Sequence, residues 1–190
     1  MWLNANGLDT SPVLNIKSKP LIKSISNSVT LPHDIIDENE VRAVLLALSE
    51  KVSYRMRKAE LLCNTVQLYI RDFEFCSYER QVRLEIPNRT ASCLLEASFN
   101  LFKINHISGK PIRAIGIRAC NLSSDSECQM DISERSSVID KRERAESTTD
   151  AIRNKYGRKA IQRGIILNCD ILSSAKINDE NLSFTKTMDM

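Results

Sequence analysis

Between residues 23 and 31 the chain alternates with period two. Ser24, Ser26, Ser28 and Thr30 fall on one side of an extended segment, and Ile25, Val29 and Leu31 on the other. Pro32 is expected to end this strand. Asp37, with Glu40 three residues on, has the form of a helix-opening capping box. Val41, Val44, Leu45, Leu48, Val52 and Met56 then recur at helical spacing, predicting an amphipathic helix over 37–60. Two further alternating runs, 65–71 and 81–86, bury Val66, Leu68 and Ile70, and Val82, Leu84 and Ile86. Pro87 closes the second of these runs. Thr90 is placed to cap a helix carrying Leu94, Leu95, Phe99 and Phe102. After Gly109 and Pro111, residues 112–119 read as a fourth strand, and Gly116 within it signals a bulge or a close backbone approach. The order β-α-β-β-α-β predicts an α+β module, a four-stranded sheet with two helices on one face.

The other face of that sheet would display Ser24, Ser26, Ser28, Thr30, Thr65, Gln67, Tyr69, Arg71, Gln81, Arg83, Glu85 and Arg118. Small hydroxyls let a backbone lie close to a flat, hydrogen-bonding partner such as a phosphate chain. A solvated Ser/Thr-rich strand is the alternative, and the pattern alone does not separate the two. Tyr69 is the one aromatic on the face, which disfavours an RNA-binding sheet built on base stacking. The net charge of +3 is uneven: residues 1–123 hold 16 Lys and Arg against 12 Asp and Glu, residues 124–190 hold 11 against 12. That bias suits a polyanion without requiring one.

Catalytic and metal chemistry find little support. There is no GxGxxG, Walker loop, GxSxG or HExxH. Asp34, Asp37, Glu38 and Glu40 cluster at a helix N-terminus, where carboxylates favour the dipole. Six cysteines without a CxxC pair, and two histidines, argue against zinc and for a reduced, cytoplasmic protein. No run approaches transmembrane length, so no membrane partner is expected. Beyond 123 the chain changes character: 133–149 is dense in charge, Ser and Thr and reads as disordered or marginally helical. A short helix is expected at 149–156, stopped by Gly157, with a further turn at 158–163 and an unstructured tail over 164–190.

Three stretches together carry a resemblance: Lys23–Pro32, Asn64–Asp72 and Gly109–Arg118. In order and spacing they resemble the little-finger domain of Y-family (translesion) DNA polymerases, in the DNA polymerase IV and UV-damage-repair (ImpB/MucB/SamB-like) branch. Ala5–Asp9 resembles the last thumb segment, and Asp150–Gly157 with Ala160 and Ile161 resembles the tail after the little finger; the likeness spans residues 3–163. It implies a thumb remnant over 1–13, a linker over 14–22, a DNA-binding little finger over 23–123 and a tail over 124–190.

The resemblance further implies a grip on template-primer duplex, largely through phosphates, in DNA repair and lesion bypass. Carried onto this sequence, the contacts are Lys23, Ser24, Ser26, Asn27, Ser28 and Thr30 on the first strand and Arg80 and Arg83 on the third. Asn88, Arg89 and Thr90 follow from the turn, and Arg113 and Arg118 from the fourth strand. Relatives often carry a second basic residue where Ala114 stands. Gln129, Met130 and Ile132 occupy the place of a sliding-clamp peptide, with Ser133 where an aromatic anchor is expected. In this family the carboxylates that hold Mg2+ lie in a palm domain ahead of the thumb. This chain is therefore expected to hold no cofactor and to be non-catalytic alone, working with polymerase core domains; it would be an expressed fragment or a truncated gene product. A protein-interaction module docking a sliding clamp or repair partner is the competing reading, and an RNA-binding domain a third.

Overall fold

The computed structural model describes residues 2–8, 22–124 and 134–167. A short helix α1 (Trp2–Ala5) precedes β1 (Ser24–Ile35), α2 (Glu38–Lys58), β2 (Leu61–Asp72), β3 (Ser77–Asn88), α3 (Ala91–Asn105) and β4 (Ile112–Ser124). Helices α4 (Glu134–Tyr156) and α5 (Gly164–Leu167) follow. The four strands form one antiparallel sheet in the order β1-β4-β2-β3, so β1 and β3 are its edges. The expected α+β module is what the chain forms.

The core lies between the sheet and helices α2 and α3. Ile25, Val66, Leu68, Ile70, Ile115 and Ile117 project from the strands onto Val41, Val44, Leu45, Leu48, Val52 and Met56 of α2. Leu94, Leu101 and Phe102 of α3 complete it. Burying each large aliphatic side chain contributes about 1.5–3 kcal/mol relative to exposure. Register follows from the same pattern: a one-residue slip of β1 would turn Ser24, Ser26 and Ser28 into the core and Ile25 out of it.

Several boundaries differ from expectation. Strand β1 does not stop at Pro32 but runs to Ile35, with an irregularity between Thr30 and Ile35. As an edge strand it tolerates a residue without an N–H. The same holds for β3, which passes through Pro87 to Asn88. Asp37 does precede α2, but its side chain makes no capping hydrogen bond, so the capping box is not formed. Thr90 caps α3 as expected, its hydroxyl accepting from the Cys93 N–H at 3.4 Å. Strands β2 and β3 run on past the alternating segments 65–71 and 81–86 and are joined by a four-residue turn, closed by the Cys76 N–H donating to Asp72 Oδ1 at 2.9 Å. The largest difference is α4: residues 134–156 are one continuous helix, where a disordered or marginally helical stretch with a short helix at 149–156 was expected, and a helical turn stands at 164–167.

Candidate nucleic-acid interface

The uncovered side of the sheet is set by register. Cα partners across all four strands, β1 to β3, form four rows. These are Ser24–Cys120–Thr65–Arg83, Ser26–Arg118–Gln67–Gln81, Ser28–Gly116–Tyr69–Glu79 and Thr30–Ala114–Arg71–Ser77. Hydroxyls thus line one edge, Arg118 stands mid-sheet, Arg83 stands at a corner on the β3 edge, and Arg71 stands on inner strand β2 in the row furthest from it. A shallow depression between Ser26, Ser28, Gln67, Tyr69, Gly116 and Arg118 marks the centre of the face.

Gly116 makes that flatness possible. A Cβ there would lie 2.8 Å from Ser28 Cβ, inside any normal contact, so β1 approaches β4 more closely than a side chain would allow. Beside it, Arg71 stacks over Tyr69 with its guanidinium 5.8 Å from the ring centroid. Gln67 donates to Glu79 Oε2 at 2.5 Å, which ties up the carboxylate nearest the centre. Arg83 and Arg118 are exposed and make no ion pair among the described residues. Asn121, whose φ of 51° folds it back, donates to Thr65 Oγ1 at 3.0 Å and covers that residue, which is 7% exposed.

The backbone of β1 adds a second set of donors. In an edge strand every other residue directs its N–H and C=O away from the sheet. Arg55 of α2 donates to the Ser26 carbonyl at 2.8 Å from outside the sheet, which identifies the Ser24, Ser26, Ser28 and Thr30 series as the outward one. These residues therefore offer N–H groups along the edge and hydroxyls on the face.

The sequence-predicted contacts divide accordingly. Ser24, Ser26, Ser28, Thr30, Arg83 and Arg118 lie together on the open face, with exposed Lys23 just ahead of β1. Asn27 and Arg80 have the opposite parity and sit on the helix side. Asn27 pairs with Ile117, and Arg80 donates to Asn105 of α3 at 3.2 Å. Arg113 is the extra residue of a β4 bulge, between the Ala114 and Ile112 pairings. It lies 3.4 Å from Asp34 Oδ1 and 5.3 Å from the centroid of Phe75. Asn88 and Thr90 are turned inward, 4% and 1% exposed, and Asn88 Oδ1 accepts from both the Thr90 N–H and its hydroxyl. Arg89 is engaged by Glu143 of α4 on the helix side. Gln129, Met130 and Ile132 lie outside the described residues. Arg71, which the sequence placed on the open face but not among the contacts, and Gly116, which it marked for a close backbone approach, both lie on that face.

An antiparallel sheet backed by helices on one side, with an open face of hydroxyls and arginines, defines an α+β module with a polyanion-compatible surface. Residues 22–132 match the impB/mucB/samB family C-terminal domain. Over 168 residues the chain is 34% identical to DNA polymerase IV of Acetivibrio thermocellus, covering 88% of this chain and 42% of that protein. It is also 34% identical over 171 residues to DNA polymerase IV 2 of Bacillus subtilis, covering 88% of this chain and 40% of that one. A solved complex of beta-clamp processivity factor and the little finger domain of PolIV aligns with 57% of this chain and 97% of that one, at 17% identity and a TM-score of 0.46. The chain belongs to the impB/mucB/samB C-terminal domain family, the little-finger domain of Y-family DNA polymerases of the polymerase IV branch. It spans about two fifths of the length of the curated relatives it matches.

Among the described residues no helix is long and apolar enough to cross a membrane, and no group of His, Cys, Asp and Glu has the arrangement to hold a metal.

Proposed function

We propose that this module grips template-primer duplex DNA by its phosphates, through the open sheet face, for a translesion polymerase whose chemistry resides in other domains. The observation that carries the reading is the β1 edge, where Ser24, Ser26, Ser28 and Thr30 offer hydroxyls and outward N–H groups beside Arg118. None of these groups reads a base edge, so the grip is sequence-independent and follows backbone geometry. A duplex held this way would be tolerated with a lesion in it. The compartment expected for such work is the cytoplasm.

The test is duplex, single-strand and RNA affinity at two salt concentrations. Duplex binding through several phosphates falls steeply with salt, each contact adding about 0.9 to the log–log slope. Arg83→Ala with Arg118→Ala should weaken duplex binding about tenfold or more and flatten the slope by about 1–2. Unchanged affinity and slope in a folded double variant would remove the sheet face from the interface. Arg80→Ala, on the helix side, should leave both untouched.

The segment Gln129-Met130-Asp131-Ile132 supports a second contact, to a sliding clamp, weakened by Ser133 where an aromatic anchor would add buried area. Pulldown of the full chain with a bacterial clamp, native against Ser133→Phe, decides it. Retention that increases in the variant supports a clamp site, and no retention of either chain sinks it.

A further inference from the structure

Helix α4 packs against the helix layer, on the opposite side of the sheet from Ser26 and Arg118, and charge holds it there. None of its described side chains is buried. The residues it turns inward, spaced three and four apart, are Glu143, Glu146, Asp150 and Arg153. Glu143 pairs with Arg89, Glu146 and Asp150 pair with Arg57 at 2.5 and 2.7 Å, and Arg153 pairs with Glu50 at 3.1 Å. The seat is thus built from ion pairs whose side chains are 11–23% exposed rather than from an apolar stripe.

Glu146 occupies more than an ion pair. Its carboxylate accepts from the Ala91 N–H, the first residue of α3, at 3.0 and 3.1 Å, and lies 3.1 Å from the hydroxyl of Ser53, which donates to the Arg89 carbonyl and accepts from Arg57. Ser53 is 0% exposed and forms the floor of the site. The Arg57 guanidinium, shared with Asp150, the buried Ser53 hydroxyl and a helix N-terminal N–H therefore meet at the Glu146 carboxylate, and Arg89 is held by Glu143 three residues earlier. That donor set suits a phosphate as well as a carboxylate.

We propose that Ser53, Arg57, Arg89 and the Ala91 N–H form a phosphate-binding site that Glu143 and Glu146 fill in cis, so that α4 is a strap displaced when a phosphate takes their place. The ligand is a phosphate group, either free or in a nucleic-acid backbone. The site lies away from the open sheet face and does not depend on that face binding DNA. In the filled state Arg89 is withheld from any polyanion, so α4 is an intramolecular competitor.

Amide hydrogen exchange and amide resonances of the full chain test this, in sodium phosphate against sodium chloride at equal ionic strength and with a short duplex. In wild type, phosphate should speed exchange of α4 amides about fivefold or more over chloride, leaving sheet amides unchanged. Glu143→Gln with Glu146→Gln should bind phosphate saturably, read at the Ala91 amide, and adding Arg57→Gln and Arg89→Gln should abolish that response. A response to duplex and to inorganic phosphate supports the shared chemistry; a response to duplex alone assigns the site to nucleic acid. Equal α4 exchange in phosphate, chloride and duplex, with no saturable shift in the Glu143→Gln, Glu146→Gln chain, overturns the proposal. Arg118→Ala should leave the α4 response intact, which separates failure here from failure of the sheet-face reading.

Discussion

Replacing Gly116 with alanine places one methyl group where β1 and β4 come closest. The new Cβ would sit 2.8 Å from Ser28 Cβ and 3.4 Å from the Asn27 carbonyl oxygen. Comfortable carbon–carbon contact begins at about 3.5 Å, so the strands must separate by several tenths of an ångström along the Ser26–Thr30 ladder. Overpacking of this kind costs about 1–3 kcal/mol, while losing a glycine's unfolded-state freedom returns about 0.4–1 kcal/mol. The net expectation is destabilisation of about 0.5–2 kcal/mol. Urea unfolding reads it as a midpoint lowered by several tenths of a molar to about 1 M at unchanged slope. The clash has a named partner, which permits a sharper test. Ser28→Gly removes the atom that the added methyl would strike, so combining it with Gly116→Ala should cost less than the sum of the two single changes by at least about 0.5 kcal/mol. Additivity within about 0.3 kcal/mol would mean that the close approach at Gly116 does not constrain β1, and the flatness of the face would need another cause.

Three further outcomes are expected. Thr90→Ala removes the α3 cap and a partner of buried Asn88, and should cost about 1–2 kcal/mol by thermal or urea unfolding; a loss below about 0.3 kcal/mol would contradict the capping geometry. Burial pushes the Cys63 thiol up to about 12 and the Cys93 thiol up to about 11, whereas Cys76 is exposed. Iodoacetamide followed by peptide mass spectrometry should therefore label Cys76 promptly at pH 8, and Cys63 only on unfolding. Lys110 donates to Asp72 at 2.5 Å and holds that carboxyl below the usual carboxylate range. A depressed folded-state value contributes stability above the unfolded pKa and loses it as pH falls through the folded one. The stability advantage of wild type over Lys110→Met should thus be full at pH 6 and shrink progressively below about pH 4; an advantage that does not change with acid would refute the pairing.

The element order was legible because each element has its own period: hydroxyl–aliphatic alternation in β1, the Val41-to-Met56 stripe of α2, and alternation again in β2 and β4. What the sequence did not carry was strand order. Pro32 and Pro87 read as terminators, yet both lie in strands that turn out to be edges, where a missing N–H costs no ladder bond. Side-chain depth was equally hidden at Asn88 and Thr90, polar residues whose hydrogen bonds to each other seal them in at the start of α3. Arg80 and Arg113 show the limits of reading charge without register: one parity step, or one bulged residue, moves an arginine off the face. Only the last turns of helix α4 were read as a firm helix, because its inward side is charged. Glu146 and Asp150 become a packing surface only when Arg57, some ninety positions earlier, is folded beneath them.

If the proposed grip holds, the β1 edge would also act as a ruler. Its outward N–H groups recur every second residue, about 6.8 Å apart along an extended strand. A surface with that fixed pitch responds to the spacing of a partner's charges rather than to their chemical surroundings. Arg55 pins one graduation from below through the Ser26 carbonyl. Pro32, which has no N–H, marks where the graduations stop. A damaged base that leaves its own backbone in regular step would pass along such an edge unnoticed, whereas a backbone stretched or looped out would lose its match within one repeat.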